Sequence, residues 1–287
     1  THISEPREFA QLVERAAPGW VAVALGLQAL TYLALAQVWR AVVRAAQGFL
    51  PLRLAVHLAL AKLFVDQALP TGGISGGLLV VSALERRGLV RPLIVATVVV
   101  EIISYYLAYA GALAVAVAIA VAQGHARAIV LWSALAFVGF ALVVAIGALA
   151  LTQSTRPAPD LPGLRRAQRW LAGADRHLVR DARLLARATG WQLAIVALDG
   201  LTLWTLLRAA GTDAPLAGTF ASFMIASLAR TVSIVPGGLG VFEGVAVVTL
   251  HQIGAPLAAA LSATLLFRGV SYWLPMIPGF LASRRLR

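Results

Sequence analysis

Seven ionisable side chains stand inside stretches that are otherwise apolar: Lys62, Asp66, Glu101, Asp199, Arg230, Glu243 and Arg268. A charge at the centre of a bilayer costs about 3 kcal/mol on insertion scales, so such residues face a cavity or a partner and mark a pathway. Two of the stretches are broken by proline and glycine, at Pro70-Thr71-Gly72-Gly73-Ile74-Ser75-Gly76-Gly77 and at Pro236-Gly237-Gly238-Leu239-Gly240. A break of this kind ends one helix and opens the next. It leaves backbone N–H groups and a positive helix end inside the protein, where a phosphate can be held. Lys62, Arg230 and Arg268 would add charge-assisted bonds to such a headgroup. The glycines Gly72, Gly73, Gly237, Gly238 and Gly240 alone ask for no more than a tight turn and close packing. With three embedded cations beside them, they point to a lipid-headgroup or anion site.

The pairing of these charges is open at this level. Lys62 and Asp66 are four apart and share a helix face, where they either neutralise each other or contribute to the site. Arg230 before the second tip and Glu243 after it are placed to meet as a buried pair, while Asp199 and Glu101 are candidate partners of Arg268. Soluble-enzyme signatures are missing: no P-loop, no Gly-x-Ser-x-Gly and no dinucleotide fingerprint. The histidines His2, His57, His125, His177 and His251 are scattered without metal-ligand spacing. The expectation is a protein that is not an enzyme and uses no metal and no cofactor. Transport without a nucleotide site would draw on an ion gradient or run down the substrate gradient.

The elements that carry these residues are set by composition. Of 287 residues, 60% are hydrophobic and 13% charged, against roughly 25% charged in a soluble domain. Backbone groups in lipid must be satisfied within their own segment, so the long Ala/Val/Leu runs read as helices. Residue-by-residue alternation, which a closed barrel needs, is missing. The fold class is therefore an all-α polytopic membrane protein, a single membrane domain over 1–287. The net charge of +12 is arginine apart from Lys62 and lies between the apolar runs, so it reads as orientation by the positive-inside rule rather than nucleic-acid binding. There is no cysteine, hence no disulfide. No signal peptide is visible after Thr1, and a missing upstream piece is compatible with that start.

Spans are expected at Trp20–Trp39, with tryptophans at both margins as in an aromatic belt, and at Leu93–Val121, Ile129–Leu151, Trp191–Arg208 and Leu257–Leu281. Between them lie two pairs of short arms, 51–83 and 214–251. The loop 152–190 carries eight arginines against Asp160, Asp175 and Asp181, which makes it and the C-terminus cytoplasmic in a multi-pass protein of the inner or cytoplasmic membrane. Arg176, Arg180, Arg183 and Arg187, opposed by Leu171, Leu178 and Leu185, predict an amphipathic helix. It either lies on the anionic leaflet or is a solvated helix fastening two halves together. Counting sides outward from this loop makes 51–83 a re-entrant hairpin from the cytoplasm and 214–251 one from the outside. The first half (20–151) and the second (191–283) then form an inverted repeat with broken helices meeting near the midplane.

The run Pro236-Gly237-Gly238-Leu239-Gly240-Val241-Phe242-Glu243-Gly244 resembles the signature of the lysylphosphatidylglycerol synthase transmembrane, or flippase-like, family, whose best-known members are the multiple peptide resistance factors. Pro70 to Gly77 followed by Glu85-Arg86-Arg87-Gly88, and Phe267-Arg268-Gly269 with Tyr272-Trp273 and Pro275, agree with it. The resemblance implies a lipid flippase that moves aminoacylated phosphatidylglycerol from the inner to the outer leaflet, often fused to a transferase that makes the lipid. The chain stops at Arg287, so synthesis is not expected of it. The first tip has Thr71, Ser75 and Gly77 where an acidic match to Glu243 would stand. On this reading the partners are membrane phospholipids and a separate lipid-modifying transferase, and a homo-oligomer is compatible. The headgroup crosses a polar cavity between the hairpins, lined by Arg230, Glu243, Arg268 and Asp199. The competing readings are a translocase for a polyprenyl-phosphate carrier and a non-transporting lipid-binding scaffold for a separate membrane enzyme.

Overall fold

The computed structural model describes residues 17–69, 74–122, 124, 128–153, 168–233 and 235–286. All regular structure among them is helical. In chain order it comprises α1 (Pro18–Ala45), α2 (Leu52–Ala68), α3 (Ile74–Glu85), α4 (Arg91–Ala122), α5 (Ala128–Gln153), α6 (Arg176–Arg180), α7 (Ala182–Ala209), α8 (Leu216–Val232), α9 (Val241–Gln252), α10 (Leu257–Arg268) and α11 (Leu274–Arg285). Five stretches are long and apolar enough to cross a membrane: Pro18–Ala45, Arg91–Ala122, Leu131–Thr152, Ala182–Ala209 and Leu257–Arg285. The chain is a polytopic all-α membrane protein. Along α5 the side chains of Trp132, Leu135, Val143 and Ile146 are each more than 60% exposed, an apolar stripe that only lipid or another protein would cover.

Two pairs of consecutive short helices pack against each other as hairpins, α2 with α3 and α8 with α9. Several hydroxyls along the apolar helices bond back into their own backbone, as Thr97 does to the Leu93 carbonyl and Ser262 to that of Ala258, which satisfies these without water.

The helices group into two compact units. One contains the residues up to Thr31, Gly111–Phe137 and Ile195–Ile277; the other contains Tyr32–Ala110, Val138–Ala194 and the residues from Pro278 on. In the first unit Phe242 stacks on Phe267 at 5.5 Å, and Phe223 closes on Phe267 at 5.8 Å. Gly200 of α7 lets the Phe220 ring of α8 approach where a Cβ would sit 2.7 Å from it. In the second unit Trp39, Leu58, Leu84, Ile94 and Ile103 are fully buried. There Gly279 of α11 lies against the Leu60 carbonyl of α2.

The arginine-rich segment departs from expectation. No single helix runs through Arg176, Arg180, Arg183 and Arg187. Asp175 accepts from the backbone N–H groups of His177 and Leu178 to start α6, and Asp181 accepts from those of Arg183 and Leu184 to start α7. Both aspartates are N-caps rather than counter-charges, and an N-cap needs non-helical backbone. Arg183 and Arg187 therefore belong to the first turns of a span. Leu178, Val179 and Leu184 are buried in the core of the second unit. Arg176 donates to the Thr152 carbonyl at 3.1 Å, and the Asp175 N–H to that of Pro92. This segment is docked on protein through Leu178 and Val179, with Arg176, His177 and Arg180 exposed on its other side.

The last span is also not a plain helix. Pro275 and Pro278 lack the N–H that would hold carbonyls one turn earlier, and residues Gly269–Trp273 form a π turn closed by the Leu274 N–H on the Gly269 carbonyl.

Candidate functional site

Arg268 is the most enclosed of the embedded charges, at 4% exposure. Its Nε donates to Glu243 Oε1 at 2.6 Å and an Nη donates to the Gly237 carbonyl at 2.9 Å. The π turn brings the Tyr272 ring back over the guanidinium, 4.5 Å from its centroid, and Phe242 lies on another side at 5.5 Å. Such wide bulges are frequent at functional sites. Glu243 is the third residue of α9, and its Oε2 accepts the Gly240 N–H at 2.7 Å, as the glutamate of a capping box does. Gly237, Gly238 and Gly240 all have positive φ (67°, 61° and 83°). A Cβ on Gly238 would collide with Cγ of Arg230, whose stem lies across the tip.

The expected Arg230–Glu243 pair is therefore corrected: Glu243 pairs with Arg268. Its carboxylate turns back onto the start of its own helix and faces the next span rather than the preceding arm. Arg230 acts electrostatically on both Arg268 and Asp199. Nor is Asp199 a partner of Arg268. Its Oδ1 accepts from the amide of Gln28 at 2.8 Å, and the same amide reaches Thr202 Oγ1 at 3.1 Å. The Gly240 N–H, expected to be open for a phosphate, is taken by Glu243.

A second cluster lies on the first hairpin. Lys62 Nζ is 2.8 Å from Asp66 Oδ2 and 3.6 Å from Glu101 Oε1 of α4, so Glu101 belongs to Lys62 and not to Arg268. Asp66 Oδ1 accepts the Gly76 N–H at 2.9 Å, near the start of α3. The carboxylate absent from the first tip is thus supplied by the arm before it. Pro70, Gly72 and Gly73 lie outside the described residues. Glu101 is steadied by Trp39, whose Nε1 donates to Oε2 at 2.7 Å. Trp39 is fully buried, which corrects its assignment to an aromatic belt; Trp20, 39% exposed, fits the belt better. Gln28, Thr202, Trp39 and Gly76 escape the sequence reading. The only signal for them is a polar or indole group inside an apolar run. A cavity of about 180 Å³ in the second unit, lined by Leu79, Ser82, Ala83, Arg86, Ser283 and Leu286, holds none of the expected site residues.

Among the described residues no group of His, Cys, Asp and Glu is arranged to hold a metal ion. What the two clusters share is a carboxylate bonded to a backbone N–H at a helix start, with a cation beside it. This architecture defines a multi-pass helical membrane protein with charge pairs built into two broken segments. The chain matches the family described as Lysylphosphatidylglycerol synthase TM region over residues 4–279 and belongs to it. Over 61 residues it is 39% identical to a phosphatidylglycerol lysyltransferase of Staphylococcus haemolyticus (strain JCSC1435). That stretch is 21% of this chain and 7% of the relative's length. Family and relative are both named for phosphatidylglycerol lipids.

Proposed function

We propose that this chain is a flippase-like transporter that moves a phospholipid of the anionic or aminoacylated phosphatidylglycerol type between leaflets, and that it does not make the lipid. The observation that carries this reading is Arg268, a guanidinium 4% exposed and held at the start of α9 by a carboxylate. A phosphodiester has the charge of a carboxylate and accepts the same hydrogen bonds. It can compete with Glu243 for Arg268 and the Gly240 N–H. A relative named for phosphatidylglycerol supports that lipid class. The short arms support re-entrant hairpins: α3 and α9 have 12 residues each, about 18 Å of helix, against a hydrocarbon core of about 30 Å. The arginines of 152–190 and of the C-terminus support a cytoplasmic location for both, by the positive-inside rule.

The test is a scrambling assay on the full chain in liposomes carrying fluorescent phosphatidylglycerol and aminoacylated phosphatidylglycerol. Movement by the wild type that falls tenfold or more in Glu243→Gln and in Arg268→Lys is the expected result. Lysine keeps the charge but not the fork that spans Glu243 and Gly237. No movement of any lipid by well-folded wild type would overturn the reading and favour a lipid-binding scaffold; charge reversal at Arg176, Arg180 and Arg183 would then be the way to break its partnership.

A further inference from the structure

The cavity of about 180 Å³ in the second unit lies away from both charge clusters, between the end of α3 and the end of α11. Its walls change character along each helix. On α3 the residues Leu78, Ser82 and Arg86 stand four apart and share one face. The Arg86 N–H still bonds to the Ser82 carbonyl, so the helical course reaches that far. On α11 the matching face carries Phe280, Ser283 and Arg284. Each wall thus runs from an apolar side chain through a small hydroxyl residue to an arginine. Ser82, Ala83 and Ser283 leave the space, and Leu79 and Leu286 complete the lining.

The two apolar ends face outward. Leu78 is 60% exposed and Phe280 is 43% exposed, so the cavity continues as an open groove toward lipid. Phe280 is fixed there by the Phe64 ring of α2 at 5.5 Å and by the Arg284 guanidinium at 5.1 Å. At the other end Arg86 donates to the Leu286 carbonyl at 3.3 Å, which holds it at the mouth. A guanidinium has five N–H groups and can serve a carbonyl and a phosphate together. Arg87 and Arg285 add charge at the same membrane face, where Glu85 is the neighbouring acid. The floor suits a hydrocarbon better than water. Ser82 and Ser283 give their hydroxyl protons to the Leu78 and Phe280 carbonyls, which leaves water few partners, and an apolar cavity of roughly 150 Å³ already takes up benzene.

We propose that this groove binds one anionic glycerophospholipid of the leaflet that meets these arginines, with its phosphate on Arg86 and Arg284 and one acyl chain in the cavity and over Leu78 and Phe280. The order of the walls is the order of the lipid: phosphate, ester region, hydrocarbon. The depth agrees. Eight residues from Arg86 to Leu78 are about 12 Å of helix, enough to cross an interfacial layer of about 6 Å and enter the hydrocarbon. None of the residues of the two charge clusters takes part, so the site is separate from the proposed transport path.

The experiment uses the full chain in phosphatidylcholine nanodiscs doped with a tracer lipid that carries a diazirine in one acyl chain. Adducts formed on illumination are mapped to residues by mass spectrometry. Phosphatidylglycerol and phosphatidylcholine tracers with the same chains are compared, with and without inorganic phosphate in excess. The phosphatidylglycerol tracer is expected to label residues 78–83 and 280–286 about tenfold more than the phosphatidylcholine tracer, the worth of one charged hydrogen bond, and inorganic phosphate is expected to change nothing. Ser82→Leu fills the groove and should remove these adducts. Arg86→Gln with Arg284→Gln, both at exposed positions, should bring phosphatidylglycerol down to the level of phosphatidylcholine, and this arm decides the matter if Ser82→Leu does not fold. Equal labelling by the two tracers in wild type, no adducts on these residues, or labelling that persists in the variants overturns the proposal. Displacement by inorganic phosphate also overturns it, since the arginines would then be a seat for a free anion.

Discussion

The two helical hairpins have arms of the same lengths, 17 residues followed by 12, and each uses a carboxylate to hold a backbone N–H near the start of its second arm. They reach that arrangement from opposite directions. In the first, Asp66 precedes the tip and reaches forward to Gly76; in the second, Glu243 follows the tip and reaches back to Gly240. The helix after each hairpin completes the cluster with opposite sign, Glu101 from α4 and Arg268 from α10. The first cluster has two carboxylates for one ammonium on a flexible stem, its side chains 14% to 21% exposed. The second is built on a planar guanidinium fixed by two acceptors and two rings, at 5% side-chain exposure. A guanidinium so held loses little freedom when an anion binds, whereas the lysine is free to change partner. On the proposed function the second hairpin is a pre-formed anion seat, and the first is an adjustable counterpart.

The sharpest way to break this comparison is Arg268→Met. It leaves Glu243, 15% exposed, without its cation, a loss of about 3 kcal/mol, measured as a lowered unfolding midpoint in detergent. The double variant Arg268→Met with Glu243→Gln should recover most of it, because glutamine still accepts the Gly240 N–H and carries no charge. A single variant that melts like wild type would mean that the pair is solvated and the seat is not pre-formed.

The spans and arms are legible in the sequence because run length decides them: an apolar stretch either reaches across lipid or does not. Their ends are less so. α1 runs on to Ala45 past Arg40, whose guanidinium turns back to the Leu50 carbonyl, and a long arginine stem tolerates that course. The identities of the site residues are legible as well, since an embedded charge is costly wherever it occurs. Their pairing is not, because it depends on where a side chain turns at a helix start. Glu243 bends into its own cap and away from Arg230, and Asp66 supplies from the other side of the tip what Thr71, Ser75 and Gly77 lack. Asp175 and Asp181 were countable as charges, but their use as caps is decided by backbone that composition does not carry.

A smaller effect is expected at the tips. Gly238→Ala puts a Cβ on a residue at φ 61° and into the stem of Arg230, with strain and overpacking together costing about 2–3 kcal/mol. Gly76 lies in ordinary helical backbone, and its added Cβ meets only the Asp66 carboxylate, the movable end of a side chain. Gly76→Ala should cost about 1 kcal/mol, close to one lost hydrogen bond. Thermal unfolding of both variants gives the order, and the reverse order would make the first tip the rigid one.

The smallest effect separates the clusters by charge alone. Asp66→Asn removes one carboxylate from a cluster that has two for its single cation. The amide oxygen still accepts the Gly76 N–H, and Lys62, now facing an N–H₂, turns to Glu101, already 3.6 Å away. The lost bond and the better charge balance offset each other, so stability should change by less than about 1 kcal/mol. The matched change Glu243→Gln also keeps its backbone bond, but it leaves Arg268 buried without a carboxylate, at a cost of about 3 kcal/mol. Measured side by side, a small loss for Asp66→Asn and a large one for Glu243→Gln is what an adjustable cluster and a fixed one require. Equal losses would mean that Lys62 is as tightly held as Arg268, and the two hairpins would then be two copies of one rigid site.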